Sequence, residues 1–129
     1  MSRLISFILI IAFTSLLFAP VRERVRPHIQ PLLDPIYEWS ARNRVSTLLK
    51  YVQEEESIGR SIPTPHEFPD FVERRDVQAN ASLDPWGNPY YLHVMRRGYY
   101  VGSAGRDQVQ GNADDVVSST AAIQNERRR

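Results

Sequence analysis

The chain begins with an uninterrupted hydrophobic run. Residues 4–21 contain no charged side chain, and only two serines and one threonine break the apolar pattern. A helix of that length, rising about 1.5 Å per residue, spans roughly 27 Å, which is just enough to cross the hydrocarbon core of a bilayer. We therefore predict a transmembrane anchor at residues 1–21. A cleaved signal peptide and a buried core helix are the alternatives, although cleavage after Ala19 would leave Pro20 at the new N-terminus.

A different helical pattern follows this run. Residues 22–34 are rich in proline, so we expect a kinked or broken helix there. Asp34 and Pro35 then form a typical helix start, a capping carboxylate followed by proline. From that point apolar residues recur every three or four positions, which predicts an amphipathic helix over residues 35–58. Its predicted buried face consists of Ile36, Tyr37, Ala41, Val45, Leu48, Leu49 and Val52.

The second half of the chain has the pattern of a small sheet. A proline-rich connector leads to a short helical turn predicted at residues 68–75. Residues 90–95 and 99–103 are aromatic and β-branched, and the Arg-Arg-Gly sequence between them predicts a hairpin. A third short strand is predicted at residues 116–118. We therefore predict an α+β fold over residues 35–118, with the long helix packed on a small antiparallel sheet.

Composition and charge restrict the possible functions. The chain has 129 residues, of which 42% are hydrophobic and 24% charged, and this suits one folded domain. The net charge of +1 gives no reason to expect a nucleic-acid partner, and the lack of cysteine excludes disulfides and cysteine-bound zinc. The histidines lack ligand spacing and no nucleophile motif is present, so we predict no enzymatic activity and no small-molecule substrate. Residues 119–129 are predicted to form a polar tail.

The densest local signal is a turn motif before the first strand. Its Asp-Pro and Asn-Pro pairs start turns, and the glycine between them permits a positive φ. Its tryptophan and tyrosine supply large apolar side chains that can hold the turn against the long helix. We predict a structural turn formed by Asp84, Pro85, Trp86, Gly87, Asn88, Pro89 and Tyr90.

An acidic loop follows the second predicted strand. Asp107, Asp114 and Asp115 lie close together in sequence, and Gly105 and Gly111 allow the loop to curl. Two carboxylates about 4 Å apart repel by roughly 4 kcal/mol at an effective dielectric of about 20, and a bound hard cation would remove that repulsion. Oxygen-only ligands suit calcium better than zinc or copper. The segment is therefore either a calcium site or a solvated acidic loop.

The two motifs, taken in order, carry a resemblance to a known family. The turn motif, the hairpin, the Ser-x-Gly-x-Asp segment and the paired aspartates lie within residues 83–117. Together they resemble the C-terminal domain of the type II secretion major pseudopilin. The resemblance implies a structural subunit in which bound calcium stabilises the domain and permits assembly into a periplasmic filament. It also implies a ligand set made of the side chains of Asp107, Asp114 and Asp115 and the backbone carbonyls of Ala104 and Val109.

The N-terminus departs from the family pattern. Pseudopilins carry a glycine before the hydrophobic run and a glutamate near its start, whereas the first glycine here is Gly59 and the first acid is Glu23. The prepilin peptidase motif is thus missing, so the alternative is an accessory or scaffolding subunit of another membrane complex with the same fold. Within the acidic loop, Gln108 stands where the family usually has glycine.

Both interpretations place the chain in the bacterial inner membrane, with lipid around residues 4–21 and other membrane protein subunits as partners. The resemblance implies a periplasmic C-terminal domain. The arginines oppose this: one precedes the hydrophobic run and three follow it closely, at Arg22, Arg24 and Arg26, which by the positive-inside rule favours a cytoplasmic domain. Because extracellular calcium modules bind at about 10⁻⁴–10⁻³ M, a level that cytosol does not supply, the calcium site and the periplasmic location are linked predictions.

Overall fold

A computed structural model describes residues 5–8, 10–11 and 19–120. Within residues 19–120, the side chains are described from residue 31 onward. The chain divides into two compact units, Met1–Pro35 and Ile36–Arg129. Most of the predicted anchor at residues 1–21, namely residues 1–4, 9 and 12–18, and residues 121–129 of the predicted tail lie outside the described residues. Among the residues that are described, no helix has both the length and the apolar character needed to span a bilayer.

The long helix begins well before the residue at which the sequence pattern predicted its start. Helix α1 runs from Ala19 to Ser57. Of the two alternatives for residues 22–34, a kinked or a broken helix, the broken helix is therefore wrong, and the helix does not begin at residue 35 as predicted. The prolines at 27, 31 and 35 follow one another at four-residue intervals, and each removes the hydrogen bond to the carbonyl four positions earlier. With that spacing the missing bonds lie along one side of the helix, and the bonds on its other sides continue the ladder.

The other elements agree with the predictions to within one residue. Helix α2 spans Phe68–Arg75, and the strands are β1 at Tyr91–Met95, β2 at Gly98–Ser103 and β3 at Val116–Ser119. They form one antiparallel sheet in the order β1-β2-β3. Met95 pairs with Gly98, so the hairpin between β1 and β2 is closed by the two arginines alone.

One hydrophobic core joins the long helix, α2 and the sheet, as the α+β prediction required. The buried residues of α1 are Ala41, Val45, Leu48, Leu49 and Val52. Of the two other residues predicted on that face, Ile36 is wrong because its side chain is exposed, and Tyr37 is half-buried. The core is completed by α2, the sheet and the segment before it, through Phe68, Val72, Ala81, Tyr90, Leu92, Tyr99, Val101 and Val116.

A partly buried ion pair joins α1 to the connector that follows α2. Arg44 donates to the Asp76 carboxylate at 2.6 Å and to the Ala81 carbonyl at 2.9 Å. The pKa of Asp76 is lowered because its carboxylate accepts a hydrogen bond from the Gln78 backbone N–H and a second from Arg44. The connector is thereby held against the helix just before the turn motif begins.

Candidate metal centre

The turn motif is organised around a buried carboxylate. Asp84 is only 5% exposed. Its Oδ1 accepts hydrogen bonds from the backbone N–H groups of Trp86, at 3.0 Å, and Asn88, at 2.8 Å. The Asp84 N–H donates to the Asn88 carbonyl at 2.8 Å, and Gly87 takes the left-handed conformation at φ +89° that lets the turn close. These bonds close a tight turn at residues 84–88.

The same carboxylate joins the turn to the end of β2. Asp84 Oδ2 accepts from the Ser103 hydroxyl at 2.5 Å and from the Asn88 side-chain amide at 3.3 Å. The Asn88 amide also donates to the Gly105 carbonyl at 2.8 Å, and the Gly105 N–H donates to the Ser103 hydroxyl at 3.2 Å. The polar network of Asp84, Asn88, Ser103 and Gly105 thus places the start of the acidic loop directly against the turn.

This network was not predicted from the sequence. The predicted role of the turn rested on its aromatic residues, and that role is present: Tyr90 belongs to the core, and the Trp86 ring meets the Tyr37 ring edge-on at 5.9 Å. Burial raises the pKa of the Tyr90 hydroxyl, and the nearby Asp84 carboxylate raises it further. The sequence signal for this network is the presence of two short polar side chains, Asp84 and Asn88, followed later by a Ser-x-Gly segment. Small polar side chains of this kind can be buried together when they form hydrogen bonds with one another.

The acidic loop begins with Asp107, which is bonded within its own segment. Its Oδ1 accepts from the Val109 N–H at 2.9 Å, and its Oδ2 accepts from the Asn112 side-chain amide at 2.5 Å. Gln108 between them has φ +64°, in the left-handed region that glycine occupies easily. The loop therefore takes here the backbone conformation for which glycine is best suited, at a strain of about 1–2 kcal/mol for a residue with a side chain.

The two adjacent aspartates, Asp114 and Asp115, lie at the other end of the loop. Asp115 Oδ2 accepts from the Tyr91 hydroxyl at 2.5 Å and from the Gly111 N–H at 2.7 Å. Asp115 Oδ1 is buried and has no hydrogen-bond partner among the described residues. Gly105, at φ +67°, lies so close to Asp114 that a Cβ on it would be 2.7 Å from the Asp114 carbonyl oxygen and 3.1 Å from Asp114 Oδ2. The loop thus returns to its own starting point.

The predicted ligands are therefore brought together only in part. Asp114 lies against Gly105, next to the predicted carbonyl of Ala104, whereas Asp107 is held by Val109 and Asn112. Within residues 31–120, no three histidine, aspartate or glutamate side chains form a group able to hold a metal ion. The side-chain and carbonyl ligands that this loop offers to a metal are nevertheless all oxygens. Asp115 Oδ1, which is buried and has no partner among the described residues, is an acceptor that a hard cation would satisfy.

The outer face of the sheet next to the loop is aromatic. The Tyr91 and Tyr100 rings meet edge-on at 6.1 Å, and the His93 ring lies 5.0 Å from that of Tyr100. Burial raises the pKa of Tyr91, and its hydrogen bond to Asp115 raises it further, so this hydroxyl keeps its proton at neutral pH.

The chain matches no known protein family, no curated protein and no solved structure.

Proposed function

We propose that this chain is a non-enzymatic, membrane-anchored structural subunit whose C-terminal domain is pseudopilin-like and stabilised by calcium. The observation that carries the proposal is the Asp84 network. It joins the turn motif to the Ser-x-Gly segment, and these are two of the four features on which the pseudopilin resemblance rests. Two motifs that are far apart in sequence but share one buried network have a common structural purpose, which is to fix the base of the acidic loop.

Calcium is supported by the chemistry of that loop. Asp107, Asp114 and Asp115 would hold the ion, with the backbone carbonyls of Ala104 and Val109. Bound calcium would supply positive charge that offsets the repulsion between these carboxylates. Asp115 Oδ1, which is buried and unpartnered among the described residues, supports the assignment because such an acceptor is destabilising until it is satisfied.

Thermal unfolding of the 129-residue chain in detergent tests the calcium proposal. Calcium should raise the melting temperature by several degrees over the value measured with a chelator, because only the folded loop binds the ion. The double substitution Asp107→Ala and Asp114→Ala should abolish the difference. Asp70→Ala removes an exposed carboxylate from α2, outside the loop, and should leave the difference intact. Equal melting temperatures for the unmodified chain with calcium and with chelator would refute the site.

The alternative is an accessory or scaffolding subunit of another membrane complex. The missing glycine and glutamate of the peptidase motif favour it, because a chain without them is not processed for filament assembly. Mass spectrometry of the mature N-terminus separates the two: a processed, N-methylated residue supports a filament subunit, and intact Met1 in a stable hetero-complex supports the accessory role.

We propose the periplasm of a bacterium as the location of the C-terminal domain, with residues 4–21 anchoring the chain in the inner membrane. A reporter that is active only in the periplasm, fused after Arg129, tests this orientation. Activity of a cytoplasmic reporter at the same position would instead support the arrangement that the arginines after the hydrophobic run favour.

A further inference from the structure

Tyr91 occupies a position that only a glycine opposite it permits. Tyr91 in β1 pairs with Gly102 in β2. A Cβ on Gly102 would lie 2.4 Å from Tyr91 Cζ, 2.5 Å from its hydroxyl oxygen and 2.8 Å from Cε1. The tyrosine ring therefore lies flat across the backbone of β2, in the space that any side chain at position 102 would fill. The edge-on contact with Tyr100 supports the ring from the same face of the sheet.

From this position the tyrosine reaches the acidic loop. Its hydroxyl donates to Asp115 Oδ2, and the Gly111 N–H donates to the same oxygen. Two donors thus fix one oxygen of the carboxylate, and the orientation of the other oxygen follows from the planar geometry of the group. That second oxygen, Oδ1, is the buried atom without a partner among the described residues.

We propose that Tyr91, lying across Gly102, is a positioning residue that holds Asp115 Oδ2 so that Oδ1 is free to coordinate calcium. This inference rests on the proposed calcium site and adds a residue to it from outside the loop. Asp115 is held by β1, through the Tyr91 hydroxyl, as well as by its own loop, through the Gly111 N–H. Partners that orient a metal ligand in this way typically change metal affinity by about 10–100-fold when they are removed.

The test is calcium titration of the 129-residue chain in detergent by isothermal calorimetry, after removal of bound metal with a chelator. Tyr91→Phe keeps the ring over Gly102 and removes the hydroxyl, so we expect calcium affinity to fall by about tenfold. Tyr100→Phe is the matched control, because it removes a hydroxyl from the neighbouring ring, for which no bond to the acidic loop is seen within residues 31–120. It should bind calcium like the unmodified chain.

A second measurement separates positioning from simple stabilisation. If the Tyr91 hydroxyl only stabilises the fold, Tyr91→Phe will lower the melting temperature equally with and without calcium. If it positions the ligand, the increase caused by calcium will itself become smaller. Gly102→Ala gives an independent variant, since its Cβ would displace the ring, and it should weaken calcium binding at least as much.

The outcomes distinguish this inference from the proposed function. If the unmodified chain binds no calcium, the proposed calcium site fails and the inference fails with it. If the unmodified chain binds calcium and Tyr91→Phe binds it equally well or more tightly, the site stands and the inference is overturned. If Tyr91→Phe and Gly102→Ala both remain unfolded in saturating calcium, the pair is structural and the inference is also overturned.

Discussion

The substitution Asp84→Asn tests the central network with almost no change of shape. The Asp84 carboxylate accepts four hydrogen bonds, from two backbone N–H groups, the Asn88 amide and the Ser103 hydroxyl. An asparagine can keep its carbonyl oxygen at the Oδ1 position and so preserve both backbone bonds. Its amide group then replaces Oδ2 and faces two donors. The Ser103 hydroxyl can rotate to accept, but the Asn88 amide cannot.

The expected loss of stability follows from these changes. A hydrogen bond to a charged group contributes about 1.5–3 kcal/mol and a neutral one about 0.5–1.5 kcal/mol, so each of the two strongest bonds loses roughly 1 kcal/mol when the charge is removed. Asp84→Asn also removes the free-energy cost of burying a charge. This gain is about as large as the cost of placing the new amide group against the Asn88 amide group. We therefore expect the free energy of unfolding to fall by about 2 kcal/mol, which lowers the melting temperature of a domain of this size by roughly 8–16 °C.

Thermal and urea unfolding of the 129-residue chain in detergent, followed by circular dichroism, measures this loss at fixed calcium. Asp70→Asn is the control, because it changes an exposed carboxylate in α2 and should alter the free energy of unfolding by less than about 0.5 kcal/mol. Combining Asp84→Asn with Ser103→Ala should give less than the sum of the separate losses, since the first weakens the bond between residues 84 and 103 and the second removes it. If Asp84→Asn is as stable as the unmodified chain, the charge on this carboxylate has no role in the network.

Three further predictions concern the loop base and the helix. Gly105→Ala should destabilise the domain by about 3 kcal/mol, because its Cβ would strike the Asp114 carbonyl. The Cβ of Gly111→Ala meets no atom, so this variant should lose about 1 kcal/mol from backbone strain alone. Equal losses of the two variants in urea unfolding would contradict this. Arg44→Met should lose about 2–3 kcal/mol and the exposed Arg42→Met less than about 0.5 kcal/mol, and a reversed order would refute the importance of the buried pair. The low pKa of the Asp76 carboxyl contributes stability that is complete above about pH 4 and is lost as pH falls through the native pKa. Between about pH 5 and pH 2 the melting temperature of Arg44→Met should therefore decrease less than that of the unmodified chain. An equal decrease would show that Arg44 does not affect this titration.

The fold was predictable where the signal was local. The period of the apolar residues placed the buried face of α1 from Ala41 to Val52, and the two arginines between β-branched runs placed the hairpin. The predicted start of α1 is wrong because a proline considered by itself predicts a break in the helix. Their common spacing, which lets the helix continue through Pro35, is a property of the whole segment.

The site was predictable only as a set of candidates. The residue types identified an oxygen-rich loop and a turn, but no local pattern indicated that Asp84 is bonded to Ser103 or that Tyr91 lies over Gly102. Those contacts depend on which side chains the sheet register brings together across many residues of sequence. For the same reason the sequence did not show that Asp107 is bonded to Asn112 rather than directed at the paired aspartates.

The Asp84–Ser103 bond also has a consequence for how quickly the domain opens. The two residues are 19 positions apart, and the β1–β2 hairpin occupies the end of the intervening sequence, with Ser103 as its last residue. A hairpin forms within about 1–10 μs, so the turn and the hairpin can each form before the bond closes around them. A contact made after the transition state retards unfolding without accelerating folding. We therefore expect Asp84→Asn to act mainly on the unfolding rate, so that the domain folds at nearly its original speed but remains folded for a shorter time.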